Sequence, residues 1–97
     1  MRYEVILAPE AVEDFRALTA RARSQVRAAL ETHLRHEPRK VSRSRIKQLR
    51  GVRRPQFRLR IGDIRVFYDV TLSTVEILAI VSKSEADKWL AQFASPA

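Results

Sequence analysis

The chain has 97 residues, 45% of them hydrophobic, lacks cysteine, and carries 19 Lys and Arg against 11 Asp and Glu for a net charge of +8. That length holds a single domain with a small core, and the missing cysteine excludes a disulfide framework, a thiol nucleophile and a thiolate-bound metal. No apolar run approaches the roughly 20 residues of a membrane span and no signal-peptide pattern opens the chain, so a soluble cytoplasmic protein without a membrane partner is expected.

Arg2-Tyr3-Glu4-Val5-Ile6-Leu7 is rich in β-formers and predicts a first strand, ended by Ala8-Pro9. Pro9 in a first turn, followed by Glu10, Glu13 and Asp14, marks a helix start, and Ala11, Val12, Phe15 and Leu18 follow at helical spacing. A second helix is predicted from about Arg21 to Glu37, its apolar stripe made of Ala22, Val26, Ala29, Leu30, His33 and Leu34. Thr19-Ala20 leaves room only for an antiparallel helical hairpin, and Pro38 ends it.

Residues 38–45 read as basic and irregular, and Ile46–Leu49 as a short strand closed by Gly51. Phe57-Arg58-Leu59-Arg60-Ile61 alternates apolar and basic residues, the period of a strand with one wet face. Gly62-Asp63 places glycine where a type II′ hairpin turn needs it, and Ile64 to Val70 returns as the next strand. Thr74–Val81 reads as an interior strand. Ala86, Trp89, Leu90, Phe93 and Ala94 then form an amphipathic terminal helix that Ser82 or Ser84 would cap. The predicted fold is α+β: an N-terminal strand and a helical hairpin packed on a twisted, mostly antiparallel sheet of four to five strands, plus a C-terminal helix.

The charge is segregated. Residues 1–34 balance five bases with five acids, residues 66–97 carry a small acidic excess, and residues 35–65 hold twelve bases against two acids, Glu37 and Asp63. Solubility charge would be spread with mixed signs; a field confined to the middle third suits a polyanion such as nucleic acid or the ribosome, or an acidic protein. Arg39, Lys40, Arg43, Arg45, Lys47, Arg50, Arg53 and Arg54 form its broad part.

Arg58 and Arg60, two apart on a strand, point the same way, and Arg65 returns beside Arg60 across the turn. Three guanidiniums on one open patch repel one another, so an anion is their natural occupant, and guanidinium forks match phosphate oxygens. The bland alternative is three solvated arginines. His33 and His36 read as a packing residue and a solvated one, and no metal site is expected. Trp89 and Tyr68 read first as core. There is no phosphate-cradling glycine loop, G-x-S-x-G or H-E-x-x-H, and no cofactor is expected.

The run Phe57-Arg58-Leu59-Arg60-Ile61-Gly62-Asp63-Ile64-Arg65-Val66-Phe67-Tyr68 resembles the central signature of the RelE/ParE toxin superfamily, the toxins of type II toxin–antitoxin pairs. Lys47-Gln48-Leu49-Arg50-Gly51 resembles the K-x-L-x-G that precedes it there. The likeness runs to about Leu90. It implies an RelE-like fold and, by the favoured branch, a ribosome-dependent mRNA endonuclease (an mRNA interferase) that inhibits translation. The ParE-like branch would instead inhibit DNA gyrase and cut no RNA. On the first reading Arg58 and Arg60 stand where a lysine pair is frequent, Arg65 matches a signature arginine, and Lys83 falls where an arginine is common. Trp89 lies near a customary tyrosine. These four cations would be catalytic, the first three holding the scissile phosphate and Lys83 moving the proton, since arginine cannot be a base. Arg43, Arg45, Lys47, Arg50, Arg53, Arg54 and Trp89 would bind RNA. The implied partners are the ribosome, mRNA and a cognate acidic antitoxin.

Overall fold

In the computed structural model, which describes Met1–Ala97, each element begins where its sequence stops favouring the previous one. Strand β1 (Glu4–Leu7) runs into α1 (Pro9–Ala17), where Pro9 occupies the first turn and its missing N–H costs nothing. Helix α2 (Ala20–Leu34) follows after two residues, and the Thr19 hydroxyl caps it by accepting from the Ala22 N–H at 3.1 Å. The helix stops at Leu34, short of the expected Glu37, because the Arg35 carbonyl accepts instead from the Tyr3 N–H at 2.7 Å. The Arg35 guanidinium is meanwhile clamped by Glu31 at 2.8 Å and donates to the Tyr3 carbonyl.

Five further strands complete the sheet region and the tail: β2 (Ile46–Gln48), β3 (Val52–Arg54), β4 (Phe57–Ile61), β5 (Ile64–Val70) and β6 (Thr74–Ser82). A 3-10 turn at Lys83–Glu85, helix α3 (Ala86–Phe93) and a two-residue strand β7 (Ser95–Pro96) close the chain. The main sheet has the order β1-β6-β5-β4-β2, with β1 parallel to β6 and the other pairs antiparallel. Strands β3 and β7 pair separately. Neither was expected, since two or three residues beside prolines show no periodicity. The expected serine cap of α3 is also absent: Ser82 and Ser84 pair their hydroxyls at 3.1 Å, and Glu85 stands at the N-cap without a side-chain bond.

One face of the sheet carries Phe57, Leu59, Val66, Tyr68, Val75 and Ile77 against Ala11, Val26, Leu30 and Leu34 of the helical hairpin. Tyr68 is fully buried there and donates its hydroxyl to the Pro38 carbonyl at 2.7 Å, and burial pushes its ionisation above the ordinary phenol range. Strand β6 runs on past the residues that β1 covers. There the Asp14 carboxylate of α1 accepts from the Ile80 N–H at 2.9 Å, occupying a ladder position that has no strand. The opposite face holds Phe67 and Ala79, both at 0% exposure yet outside the main core. Their cover is α3, whose Trp89 ring stacks on Phe67 at 4.9 Å and 5°.

Candidate nucleic-acid interface

Antiparallel register decides which cations meet. In the β4–β5 hairpin Arg60 lies directly opposite Arg65 and Arg58 opposite Phe67, while β2 sets Lys47 opposite Arg58. Directly opposed residues share a face, so Lys47, Arg58, Arg60 and Arg65 gather on the sheet face away from the helical hairpin, beside the Gly62-Asp63 turn. Gly62 takes φ +56° and Asp63 stays at negative φ, which excludes a type I′ turn and fits the expected type II′. The turn is braced from outside by the Lys83 N–H, which donates to the Asp63 carbonyl at 2.6 Å. Lys83 thus stands at the hairpin tip, with its side chain exposed.

Every ion pair in the structure lies elsewhere: the five contacts join Arg16, Arg35, Lys40 and Arg54 to carboxylates, and none involves Arg58, Arg60 or Arg65. The three guanidiniums are unequal, however. Arg60 is exposed. Arg58 is half-buried, and its Nε is buried without a hydrogen-bond partner. Burial, then Arg65 and Arg60, pull the Arg58 guanidinium below its ordinary value, although arginine stays charged at any physiological pH. Arg65 departs from the expected open patch: it is 8% exposed, and its Nη1 donates to the carbonyls of Gly62 (2.8 Å) and Ile64 (3.1 Å). Its side chain holds the turn and adds positive potential beneath Arg58 and Arg60.

The rest of the expected RNA surface divides. Arg43, Arg45, Lys47, Arg50 and Arg53 are exposed, and none of their side chains is paired with a carboxylate. Arg54 is not a free cation: it binds Asp69 at 2.7 Å and Glu76 at 2.6 Å. Asp69 also accepts from the Gln56 N–H, and Gln56 in turn accepts from the Val70 N–H. The Trp89 ring is committed to packing, with Phe67 on one side and Phe93 5.6 Å away, so it is not an open stacking platform. His33 is half-buried, its imidazole held below the ordinary value by burial and by Arg45; His36 is exposed.

The whole face is therefore graded. Cations cluster at the hairpin tip and Phe67, Trp89 and Phe93 occupy the middle. At the far end Glu10, Asp14, Glu76 and Arg54 line a cleft of about 550 Å³ together with the half-buried Trp89 and the exposed Phe93. Lys47 was legible as a cation in the sequence, but its place beside Arg58 depends on the β2–β4 register, which no local signal gives. No group of three His, Asp or Glu side chains is placed to hold a metal ion. Chemically, the tip can bind phosphate oxygens and stabilise charge that grows on them.

Comparison with known proteins gives a consistent family signal. A family model described as the ParE toxin of the type II toxin–antitoxin system parDE matches residues 5–87. No curated protein sequence matches the chain. Among solved structures, the RelBE2 toxin–antitoxin complex of Mycobacterium tuberculosis is similar at 27% identity and TM-score 0.66, covering 84% of this chain and 99% of that one. An arginine double mutant of the Escherichia coli toxin RelE in the free state is similar at 23% identity and TM-score 0.72, over 94% and 93%. The RelB–RelE complex of Methanococcus jannaschii follows at 15% and 0.66, over 87% and 96%. The last two likenesses speak for the fold alone.

Proposed function

The chain belongs to the ParE toxin family of type II toxin–antitoxin systems, within the RelE/ParE superfamily, and from that premise we propose that it is a ribosome-dependent mRNA endonuclease that works without a metal. The observation that carries this reading is the cation cluster at the β4–β5 tip, in which no cation is paired with a carboxylate and the Arg58 Nε is buried and unpartnered. A cluster so arranged opposes folding, and an anion relieves it.

In the proposed reaction the 2′-oxygen of a ribose attacks the adjacent phosphorus, the bond to the 5′-oxygen breaks, and a 2′,3′-cyclic phosphate forms. The 2′-hydroxyl proton leaves and a proton reaches the departing 5′-oxygen. Arg58 and Arg60 bind the non-bridging oxygens and stabilise the charge that accumulates there. Arg65, tied to the turn carbonyls, fixes the tip and strengthens its field without touching substrate. Lys83, tied to the tip through its backbone N–H, is the group assigned to move the proton. Orientation of the message by the ribosome supplies much of the remaining barrier reduction. The exposed Arg43, Arg45, Lys47, Arg50 and Arg53 give a broad surface for ribosomal RNA. The partner that restrains the toxin is an acidic antitoxin; relatives have been crystallised with RelB antitoxins.

A second reading is favoured by the family model, whose description names ParE: inhibition of DNA gyrase, with no RNA cut. It draws further support from Arg65, whose guanidinium is spent on the backbone carbonyls of the turn rather than on a group that could act as a base. Induced expression followed by primer extension on a translated message separates the two. Cuts confined to translated codons, lost roughly 10²–10³-fold in Arg60→Ala, support the nuclease. Intact message together with blocked supercoiling by purified gyrase would transfer the assignment to the second reading. Arg60 is the position to change, because it is exposed while Arg65 supports the turn.

A further inference from the structure

We propose that the cleft between the end of α2 and the loop of residues 38–45 is a second anion site, separate from the hairpin tip, which binds a backbone phosphate of RNA and binds it more tightly when its histidines carry a proton. The choice of RNA rests on the ribosome-directed reading above; the site itself follows from the groups that meet in the cleft.

The loop is irregular but firmly held. Pro38 is buried, and its carbonyl accepts from the Tyr68 hydroxyl at 2.7 Å. The Arg39 guanidinium donates to the Val70 carbonyl at 3.2 Å. Ser42 closes the far end: its N–H donates to the Ile46 carbonyl at 2.9 Å, and its hydroxyl accepts from the Arg45 and Ile46 N–H groups at 3.1 and 3.0 Å. The backbone that carries the loop cations is therefore fixed before a ligand arrives, which lowers the ordering cost of binding. The Arg45 carbonyl in turn accepts from the Arg60 N–H at 2.9 Å. Ile46 belongs to the core, so the cleft opens on the helical-hairpin side of β2, while the tip cluster lies on the opposite side. One RNA strand crossing the β2 edge beside Arg45 can meet both.

The cleft has a volume of about 360 Å³, and its polar lining is one-sided. Lys40, Arg45, His33, His36 and the Ser44 hydroxyl stand against a single carboxylate, Glu37, which is loosely paired with Lys40 at 3.8 Å. Arg45 and both histidines have no carboxylate partner. The His33 ring makes no hydrogen bond within the protein, and its nitrogens are not sealed from solvent. Carbonyls at a helix end repel an anion, but here those of Arg35 and Glu37 accept from the N–H groups of Tyr3 and Lys40, and that of Pro38 accepts from Tyr68. The charges around His33 are Arg45 from the loop and His36 and Glu37 from the end of α2 and beyond. Around His36 they are Glu37 and Glu31, the latter clamped by Arg35 and near Arg2, and the His36 Nδ1 lies 3.4 Å from the Met1 carbonyl. Burial and then Arg45 hold the His33 imidazole below its ordinary value, so it is neutral in the free protein at neutral pH. A phosphate oxygen supplies the opposite charge that the cleft lacks and favours the protonated ring as a donor. Binding then takes up a proton, and affinity rises as pH falls.

NMR of the imidazole signals of the full chain, titrated with inorganic phosphate and separately with a short oligouridylate, tests this directly. The oligouridylate's diester charge is constant over the range used, so any pH dependence belongs to the protein. On adding it the His33 and His36 signals should shift, the His33 midpoint should rise, and affinity should grow about threefold or more between about pH 8 and about pH 6. Arg60→Ala should leave the histidine shifts in place, because it alters the tip alone. Arg45→Ala, at an exposed position, should weaken RNA binding about threefold to tenfold and lower its salt slope by about one. His33→Gln combined with His36→Gln should flatten the pH profile. Histidine signals that stay still while RNA binds would overturn the site and leave the tip reading intact. Shifts with inorganic phosphate and none with RNA would make this a free-phosphate site and defeat the assignment to RNA. An unchanged pH profile in the double histidine variant would refute the protonation linkage. No RNA binding at all by the wild type would remove the underlying reading together with the proposal.

Discussion

Replacing Arg58 with methionine should make the protein more stable and less able to bind anions. The arginine stem packs within the sheet face, and methionine keeps most of that apolar volume. Three costs disappear. Arg60 lies two residues along the strand and Arg65 sits diagonally across it, each roughly 7 Å away by strand geometry. At an effective dielectric near 20 such a pair repels by roughly 2 kcal/mol, and physiological salt reduces that to about 1 kcal/mol each. The buried Nε without a partner costs about 1 kcal/mol or more again. After some loss of guanidinium hydration, a net gain of about 2 kcal/mol remains, or roughly 10 °C in Tm for a domain of this size. Thermal unfolding by circular dichroism at low salt and in 1 M NaCl checks it: the gain should fall by about half in high salt as the repulsive part is screened. Inorganic phosphate should raise the Tm of the wild type and leave Arg58→Met almost unchanged. A variant that melts at or below the wild-type temperature at low salt would refute the idea that this cluster strains the fold.

Trp89→Ala removes the ring over Phe67 and uncovers Phe67 and Ala79. It should cost roughly 2–3 kcal/mol in urea unfolding and raise binding of a hydrophobic dye; a loss below about 0.5 kcal/mol would mean that α3 does not seal this face. The Tyr68 phenol is shifted upward in the fold, so its stabilisation is complete below the unfolded value near pH 10 and lost as pH rises above it. Tyr68→Phe should therefore lower stability by about 1–2 kcal/mol at neutral pH, by stranding the Pro38 carbonyl, and flatten the alkaline decline seen in pH-dependent melts. Arg54→Met breaks contacts to Asp69 and Glu76; with Arg54 at 50% exposure the cost should be about 1 kcal/mol, shrinking in high salt. A penalty that ignores salt would point to packing instead.

The alternation of Phe57–Ile61, the glycine at the turn and the helical spacing of the hairpin were legible because each is a local pattern with a physical period. The same alternation placed Arg58, Arg60 and Arg65 on one face. Tyr68 was readable as core for the same reason, sharing its face with Val66 and Val70. What local pattern cannot carry is pairing across distance. Lys47 joins the cluster only through the β2–β4 register, and Arg54 leaves the cationic surface only because Asp69 and Glu76 arrive beside it from two other strands. Burial of Arg65 was hidden for a related reason: alternation gives the face of a side chain, whereas its depth depends on where the guanidinium finds acceptors, here the carbonyls of its own turn. The expected serine cap failed because a 3-10 turn, fastened to the hairpin tip through Lys83, intervenes before α3.

The parallel pairing of β1 with β6 sets a clock on the protein. Glu4 meets Thr74, so the first strand to be synthesised waits for about 70 further residues before it has a neighbour. Closing so long a loop is entropically costly and slow, whereas the β4–β5 hairpin and the α1–α2 pair close locally. A nascent chain can thus form its helical pair early, whereas the arginine-bearing hairpin and the strand that β1 awaits both emerge late in synthesis, within a few residues of each other. Maturation of the fold, rather than translation of the site, then sets the moment at which the molecule becomes competent.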